Sequence, residues 1–278
     1  MSLLRRTPSS RLPLSVSEDL INSFLFIAVS SVSYLRGLFD DLHFVKTKYS
    51  FSKRYGREKN LSEALSVQLL KEGLSLEADT IILWLRNSVG EAIHRGYLQA
   101  VCLTIILDNK STQNVFESYT FSVNYERRDH YLTMVINDNE LVVDDEKNAM
   151  MSLLKHLIAE TQLLPALPPK RYLLMRLVLN KEAPKDYVPE HFKTMKNSSD
   201  SLKNPQYSTD CGSVKTIHHE IRCELSSKIC TNAASTLPNR NESDSDSELD
   251  TDVETEFPSI PYPMAQMTRH ITNIGCPK

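Results

Sequence analysis

The chain has 278 residues, 41% of them hydrophobic, which supplies enough apolar material for a large core and excludes wholesale disorder. The net charge of −3 hides a local run, residues 242–256, with eight acidic and no basic side chains; the remainder carries 32 basic and 27 acidic residues, too mild an excess to mark a nucleic-acid binder. Five cysteines without a CxxC pair, a basic start with no apolar stretch behind it, and no uninterrupted apolar run near the ~20 residues of a membrane span point to a soluble chain with free thiols in a reducing compartment.

Residues 1–16, polar and basic with Pro8 and Pro13, read as a disordered tail. A helix follows. Ser15 and Glu18 have capping-box spacing, and Gly37 stands where a C-terminal glycine belongs. Ile21, Leu25, Ala28, Val32 and Leu35 form one stripe beside a second of Leu20, Phe24 and Ile27, and a helix apolar around most of its circumference belongs at the centre of a domain. Residues 43–60 read as a basic, aromatic-rich loop. Two helical patterns come next: Leu61, Leu65, Leu69, Leu70 and Leu74, then Ile81, Ile82, Leu85, Val89 and Ile93. Residues 98–107 are an apolar, β-branched run, and 115–125 alternate with Val115, Tyr119, Phe121, Val123 and Tyr125 on one face, so these two pair as antiparallel neighbours. Asp144 and Asp145 are cap candidates for a helix carrying Met150, Met151, Leu154, Leu157 and Ile158, which Pro165, Pro168 and Pro169 stop. Residues 171–179 are a strongly apolar strand. Beyond Pro184 and the polar run 197–204 lies a last alternating strand, with Ile217, His219, Ile221, Cys223 and Leu225 inward and His218, Glu220, Arg222 and Glu224 outward. This order indicates α+β, with helices on one face of a mostly antiparallel sheet.

No GxSxG elbow, Walker loop, GxGxxG or HExxH is present, so the sequence gives no sign of an enzyme, a cofactor or a catalytic residue. Cys211, His218 or His219, Cys223 and Cys230 are the residue types zinc takes, but their spacing matches no compact knuckle, and no metal is expected. Lys46, Lys48, Lys53, Arg54, Arg57 and Lys59 interleave with Tyr49, Phe51 and Tyr55, a pattern that can hold a phosphate backbone but is more commonly a solvated loop. Trp84, the only tryptophan, reads as core, with a partner-facing edge as the alternative. In the acidic run, Ser243, Ser245, Ser247 and Thr251 each have an acid three residues on, the arrangement acid-directed kinases prefer; the alternative is an unmodified solubilising linker. Residues 257–278 (FPSIPYPMAQMTRHITNIGCPK) are apolar and uncharged up to Arg269, like a peptide ligand on a tether, or else a terminus without a role.

Three ordered segments resemble one family. The run from Ala28 to Phe39 (AVSSVSYLRGLF) is similar to the first helix of the meiotic, chromosome-axis HORMA-domain proteins, with its YLRG-aliphatic-F ending. Trp84-Leu85 leads through Tyr97-Leu98 into the strand at 101–107, and residues 183–193 (APKDYVPEHFK) resemble the P-x-DY-x-P-x-x-F start of the family's belt. The resemblance implies three main helices on a mostly antiparallel β-sheet and a C-terminal safety belt that traps closure-motif peptides. It implies the divisions 1–16 tail, 17–228 HORMA domain with the belt at about 184–228, 229–256 acidic linker, and 257–278 closure motif or terminus. Peptide contacts are expected from Leu174, Arg176, Val178, Asp186, Tyr187, Pro189, Phe192, Ile217 and Ile221, and a self-closure motif from Tyr262, Met264, Met267, Arg269 and Ile271. The implied partners are closure motifs of axis-core proteins and of other HORMA copies, and an AAA+ remodelling ATPase at the N-terminal tail. Chromatin association would be indirect, with no membrane, in the nucleus on meiotic chromosomes, serving axis assembly, double-strand-break formation, interhomologue recombination and synapsis. The chain departs from many relatives in lacking a cysteine-rich chromatin module. A spindle-checkpoint or DNA-repair HORMA adaptor, and an α/β enzyme with a dispersed site, are the alternatives.

Overall fold

The structure, a computed structural model, describes residues 13–49, 64–107, 115–125, 133–136, 139–142, 146–194, 202, 204–216, 218–228 and 264–269. At its centre is α1 (Leu14–Leu35). Leu20, Ile21, Phe24, Leu25, Ile27, Ala28 and Val32 of the two stripes are all 0–1% exposed, and only Leu35 at the end of the first is half-buried. By length and composition alone α1 could cross a membrane, but a helix so covered by its own domain is a core helix. Full burial of each large side chain contributes about 1.5–3 kcal/mol, so this helix alone organises much of the core.

The two ends of α1 are built differently. At the C-terminus, Gly37 adopts φ +56, Leu38 N–H donates to the Ser33 carbonyl and Gly37 N–H to that of Tyr34, a Schellman ending that leaves Leu38 buried. Arg36, just before it, is 6% exposed and forks onto Glu117, from Nε to Oε2 (2.9 Å) and from Nη2 to Oε1 (2.6 Å), with a further bond to the Pro165 carbonyl. Burial raises the Glu117 carboxyl, while the Arg36 fork and the Tyr119 hydroxyl oppose that by favouring the ionised form. The arginine and glycine of the YLRG run therefore have structural roles: one neutralises a buried carboxylate and the other supplies a left-handed turn. At the N-terminus the expected Ser15–Glu18 capping box is absent. The helix starts at Leu14, so Ser15 lies inside it and the cap residue is Pro13, whose side chain has no acceptor; Glu18 Oε2 lies 3.1 Å from His94 Nδ1.

The start of the expected loop 43–60 is a strand, β1 (Phe44–Tyr49), and the leucine pattern expected to be helical is its antiparallel partner, β2 (Leu65–Leu70). The spacing of Leu65, Leu69 and Leu70 imitates a helix. In the strand Val67 and Leu70 are the residues that join the core, and pairing with β1 satisfies the backbone. The next pattern is helical: α2 (Leu76–Leu83), a π-helical turn (Trp84–Val89) and α3 (Gly90–His94) run on continuously, with Ser75 Oγ accepting from Ala78 N–H as the cap.

The main sheet contains β3 (Leu98–Ile106), β4 (Val115–Asn124), β5 (Thr133–Ile136), β6 (Asn139–Val142), β7 (Tyr172–Leu179), β8 (Lys193–Thr194), β9 (Tyr207–Lys215), β10 (Glu220–Ser227) and β11 (Met264–Arg269). Their order is β6-β5-β9-β10-β4-β3-β7-β11-β8. β3 and β4 are antiparallel neighbours as expected. α4 (Glu146–Gln162) buries Met150, Met151, Leu154 and Leu157 against the same core; its cap candidates Asp144 and Asp145 lie outside the described residues. The architecture is α+β, with three main helical units packed against a mostly antiparallel sheet.

A strand held between β7 and the belt

β7 alternates cleanly. Leu173, Met175, Leu177 and Leu179 join the main core under the helices, which leaves Leu174, Arg176 and Val178 to the sheet's other, outer face. Even there Leu174 is 1% and Arg176 9% exposed, so that face is covered as well. At the near end of β7, Tyr172 forms a small buried cluster with Ile106 and Val115, and Leu202 packs on it.

One long edge of β7 pairs with β3 and the other with β11. Met264 registers with Leu174, Gln266 with Arg176 and Arg269 with Leu179, all in parallel. On its far side β11 pairs with β8, Gln266 with Lys193 and Met267 with Thr194. From Thr194 the chain must then return to β9, six strand spacings away in the sheet order. At about 4.8 Å each that is roughly 29 Å, and the residues between Thr194 and Tyr207 can span about 44 Å when extended. β11 thus lies between β7 and the segment that carries β8, the strap, and Leu202 farther along packs on the outer-face cluster.

The strap is fastened at its base by side chains. Phe192, 5% exposed, lies on Trp84 with ring centroids 5.5 Å apart, and Ser88 Oγ donates to the Glu190 carbonyl at 2.7 Å. Trp84 and Ser88 both come from the π-helical turn, whose wider register presents them to the strap. Tyr187 packs edge-on against Tyr97 (5.1 Å), with the Arg95 guanidinium over its ring. Pro189 closes a turn whose carbonyl accepts from Phe192 N–H, and His191 takes φ 64. Asp186 sits in the exposed loop beside Tyr187.

At its far end the strap becomes the β9–β10 hairpin. β10 pairs with β4 along its whole length, and Ile221, Cys223 and Leu225 are fully buried while Arg222 and Glu224 face solvent. Gly212 in β9 has φ +113, and a Cβ there would stand 2.2 Å from the Val135 carbonyl oxygen, so only glycine lets β5 approach. Tyr207 hydrogen-bonds Glu160, and His156 Nδ1 lies 2.6 Å from the Cys211 carbonyl, which ties β9 to α4. The hairpin turn reaches the start of α1: His219 Nδ1 and Ser17 Oγ share a buried bond of 2.8 Å, with the Tyr125 ring edge-on to the imidazole. Burial lowers the His219 pKa to about 4.

The sequence-derived residues thus fall into groups. Leu174, Arg176 and Val178 lie on the strand that pairs with β11. Met264, Met267 and Arg269 lie in β11 itself. Tyr187, Pro189 and Phe192 belong to the base of the strap and face the helical layer. Ile221 is in the core four strand positions from β11. Ile217, Tyr262, Ile271, Ser243, Ser245, Ser247 and Thr251 lie outside the described residues, as do Cys230 and basic-loop residues 50–63. Burial pushes the Cys211 thiol up to about 12 and raises the Cys223 thiol well above its usual range. Among the described residues no group of three or more His, Cys, Asp or Glu is placed to hold a metal ion. Sequence reasoning missed β8 and β9 and the docking role of Trp84 and Ser88.

The HORMA domain family matches residues 17–219, most of the chain. The chain belongs to that family. It is 27% identical over 227 residues to the meiosis-specific protein HOP1 of Saccharomyces cerevisiae, covering 74% of this chain and 37% of that protein. It is 29% identical over 214 residues to HORMA domain-containing protein 1 of Danio rerio, covering 75% and 56%. This HORMA chain therefore spans well under two thirds of either relative. Its fold is that of C. elegans HTP-2 bound to a HIM-3 closure motif (TM-score 0.60, 17% identity, 76% of this chain and 90% of that one). It is likewise that of C. elegans HTP-1 bound to a HIM-3 closure motif (TM-score 0.59, 20% identity, 77% and 91%).

Proposed function

We propose that this HORMA chain is a non-enzymatic adaptor of the meiotic chromosome axis, which holds an extended peptide between β7 and its belt. The single observation that carries this reading is the position of β11: a strand from beyond the domain completes the sheet between β7 and β8. Backbone ladders on both sides supply most of the adhesion, and side chains along the strand supply selection. Closure motifs are what the similar C. elegans chains hold, and the curated relatives are meiotic, which supports closure motifs of axis proteins and of other HORMA copies as the guests.

In this reading β11 is the chain's own closure motif, on the tether formed by residues 229–263. A tethered ligand competes with free partners through its effective concentration, so the chain is self-closed until a partner outcompetes it. Tyr262 and Ile271 flank the strand and extend the motif. Phosphorylation at Ser243, Ser245, Ser247 or Thr251 would add charge to the tether without touching the site. Reopening falls to an AAA+ ATPase acting on the N-terminal tail expected at 1–16, whose last residues already belong to α1, and the chain works in the nucleus, its contact with chromatin made through its partners.

The test is fluorescence polarisation of labelled peptide 257–278 against a chain ending at Lys228 and refolded with the peptide present. Saturable binding with a Kd near ~10 μM or tighter is expected; no binding at ~100 μM would end the self-closure reading.

A further inference from the structure

The far end of the belt meets α4 through a chain of polar groups that only one pattern of protons satisfies. His156 Nδ1 lies 2.6 Å from the Cys211 carbonyl oxygen. A carbonyl can only accept, so the imidazole donates there and Nδ1 carries a proton. The other ring nitrogen, Nε2, stands 3.2 Å from Glu160 Oε1. Glu160 Oε2 accepts from the Tyr207 hydroxyl, whose pKa is pushed up to about 12 by burial and then by Glu160, so that proton stays on the tyrosine. With Nδ1 alone protonated, Nε2 would set a lone pair beside a carboxylate. A second proton, on Nε2, turns that contact into an ion pair. The two side chains are only 15% and 16% exposed, so water does little to relieve the mismatch. The remaining charges near the pair do not supply a competing cation. Asp210 on β9 and Glu224 on β10 are carboxylates close enough to act on Cys211, and Arg222 is paired with both of them. Lys155 on α4 is exposed to solvent, Met134, Val135 and Ile136 of β5 do not titrate, and Arg36 of α1 is paired with Glu117.

We infer that the belt hairpin is clasped to α4 by a proton held between His156 and Glu160, and that docking weakens as rising pH removes it. His156 and Glu160 stand one turn apart on α4, while Tyr207 and the Cys211 carbonyl come from β9, so the clasp spans the seam that opens when the hairpin leaves. Once undocked, the ring loses the Cys211 carbonyl and gives up its second proton as a free imidazole does, near ~6.5. Above that value the docked state binds more protons, so the contribution of the clasp is complete below it and falls as pH rises. His219, buried neutral at the hairpin turn, acts with the opposite sign on the acid side. The two histidines thus bracket docking and give it a maximum between their windows. This rests on the adaptor reading only for its consequence, a guest released sooner in an alkaline medium.

The experiment uses the full chain and two readouts. With ¹⁵N-labelled histidine, the His156 ring, assigned by its loss in His156→Gln, is expected to show protons on both nitrogens at about pH 7.5, where a free imidazole carries one. Hydrogen–deuterium exchange through β9 and β10, corrected for intrinsic rate, reads how often the hairpin opens. Opening about tenfold more frequent at about pH 8.5 than at about 6.5 is expected, the scale of one charge-assisted hydrogen bond. That slope should vanish in His156→Gln and in Glu160→Gln. A singly protonated ring at about pH 7.5 would overturn the clasp, as would native opening that does not change with pH, or a slope that survives His156→Gln. None of these results touches the adaptor reading, which fails or stands on peptide capture measured separately by polarisation.

Discussion

At its base the belt is held by rings: Phe192 on Trp84 and Tyr187 on Tyr97, with only the two residues of β8 in the sheet. At its far end it is held by ladders, with β10 paired to β4 on one side and β9 on the other and three side chains fully buried. Ring contacts survive small shifts of angle, whereas a ladder breaks as a unit. On the adaptor reading proposed above, a guest between β7 and β8 is expected to leave when the hairpin unzips as a unit and swings on the ring-packed base, so that the hairpin would set the lifetime.

The largest effect is expected where the hairpin meets the core. Leu225→Ala removes a fully buried side chain and should cost about 3 kcal/mol of hairpin docking, seen as faster amide exchange through β9 and β10. If the base loosened equally, the contrast between the two ends would be lost.

Acid tests the same end by another route. His219 is held neutral by burial down to about 4, while in the undocked hairpin it takes a proton near its usual 6.5; neighbouring Glu18 favours the charged form and His218 opposes it. Between those values the undocked state binds more protons, so docking is strongest above about pH 6.5 and weakens as pH falls through the window. The loss is about 2–3 kcal/mol by pH 4. Hairpin exchange against pH should show this slope in the native chain and lose it in His219→Gln. The smallest effect belongs to the base: Phe192→Leu keeps apolar volume but loses the ring pair with Trp84, about 1 kcal/mol by urea denaturation.

What could be read before the structure followed burial periodicity. α1, β3, β4, β7 and β10 carry dense apolar patterns and were legible. β9 was not, because Tyr-Ser-Thr-Asp-Cys-Gly-Ser-Val-Lys buries only Cys211 and Val214 among its apolar side chains and is shaped by Gly212 and the approach of β5. β2 was misread because leucine spacing in a six-residue window fits helix and strand alike. The candidate site divides the same way. Leu174, Arg176 and Val178 follow from alternation along β7, but the contact of Phe192 with Trp84 joins residues far apart in the chain, and no local pattern announces it.

Enclosure is the central claim, and its most direct test compares two rates in one sample. With a labelled closure peptide bound, the dissociation rate should equal the opening rate of β9–β10 from hydrogen exchange, and Leu225→Ala should accelerate both by the same factor. A peptide that departs much faster than the hairpin opens would contradict the account, since a guest that slips out past a closed belt was never enclosed by it.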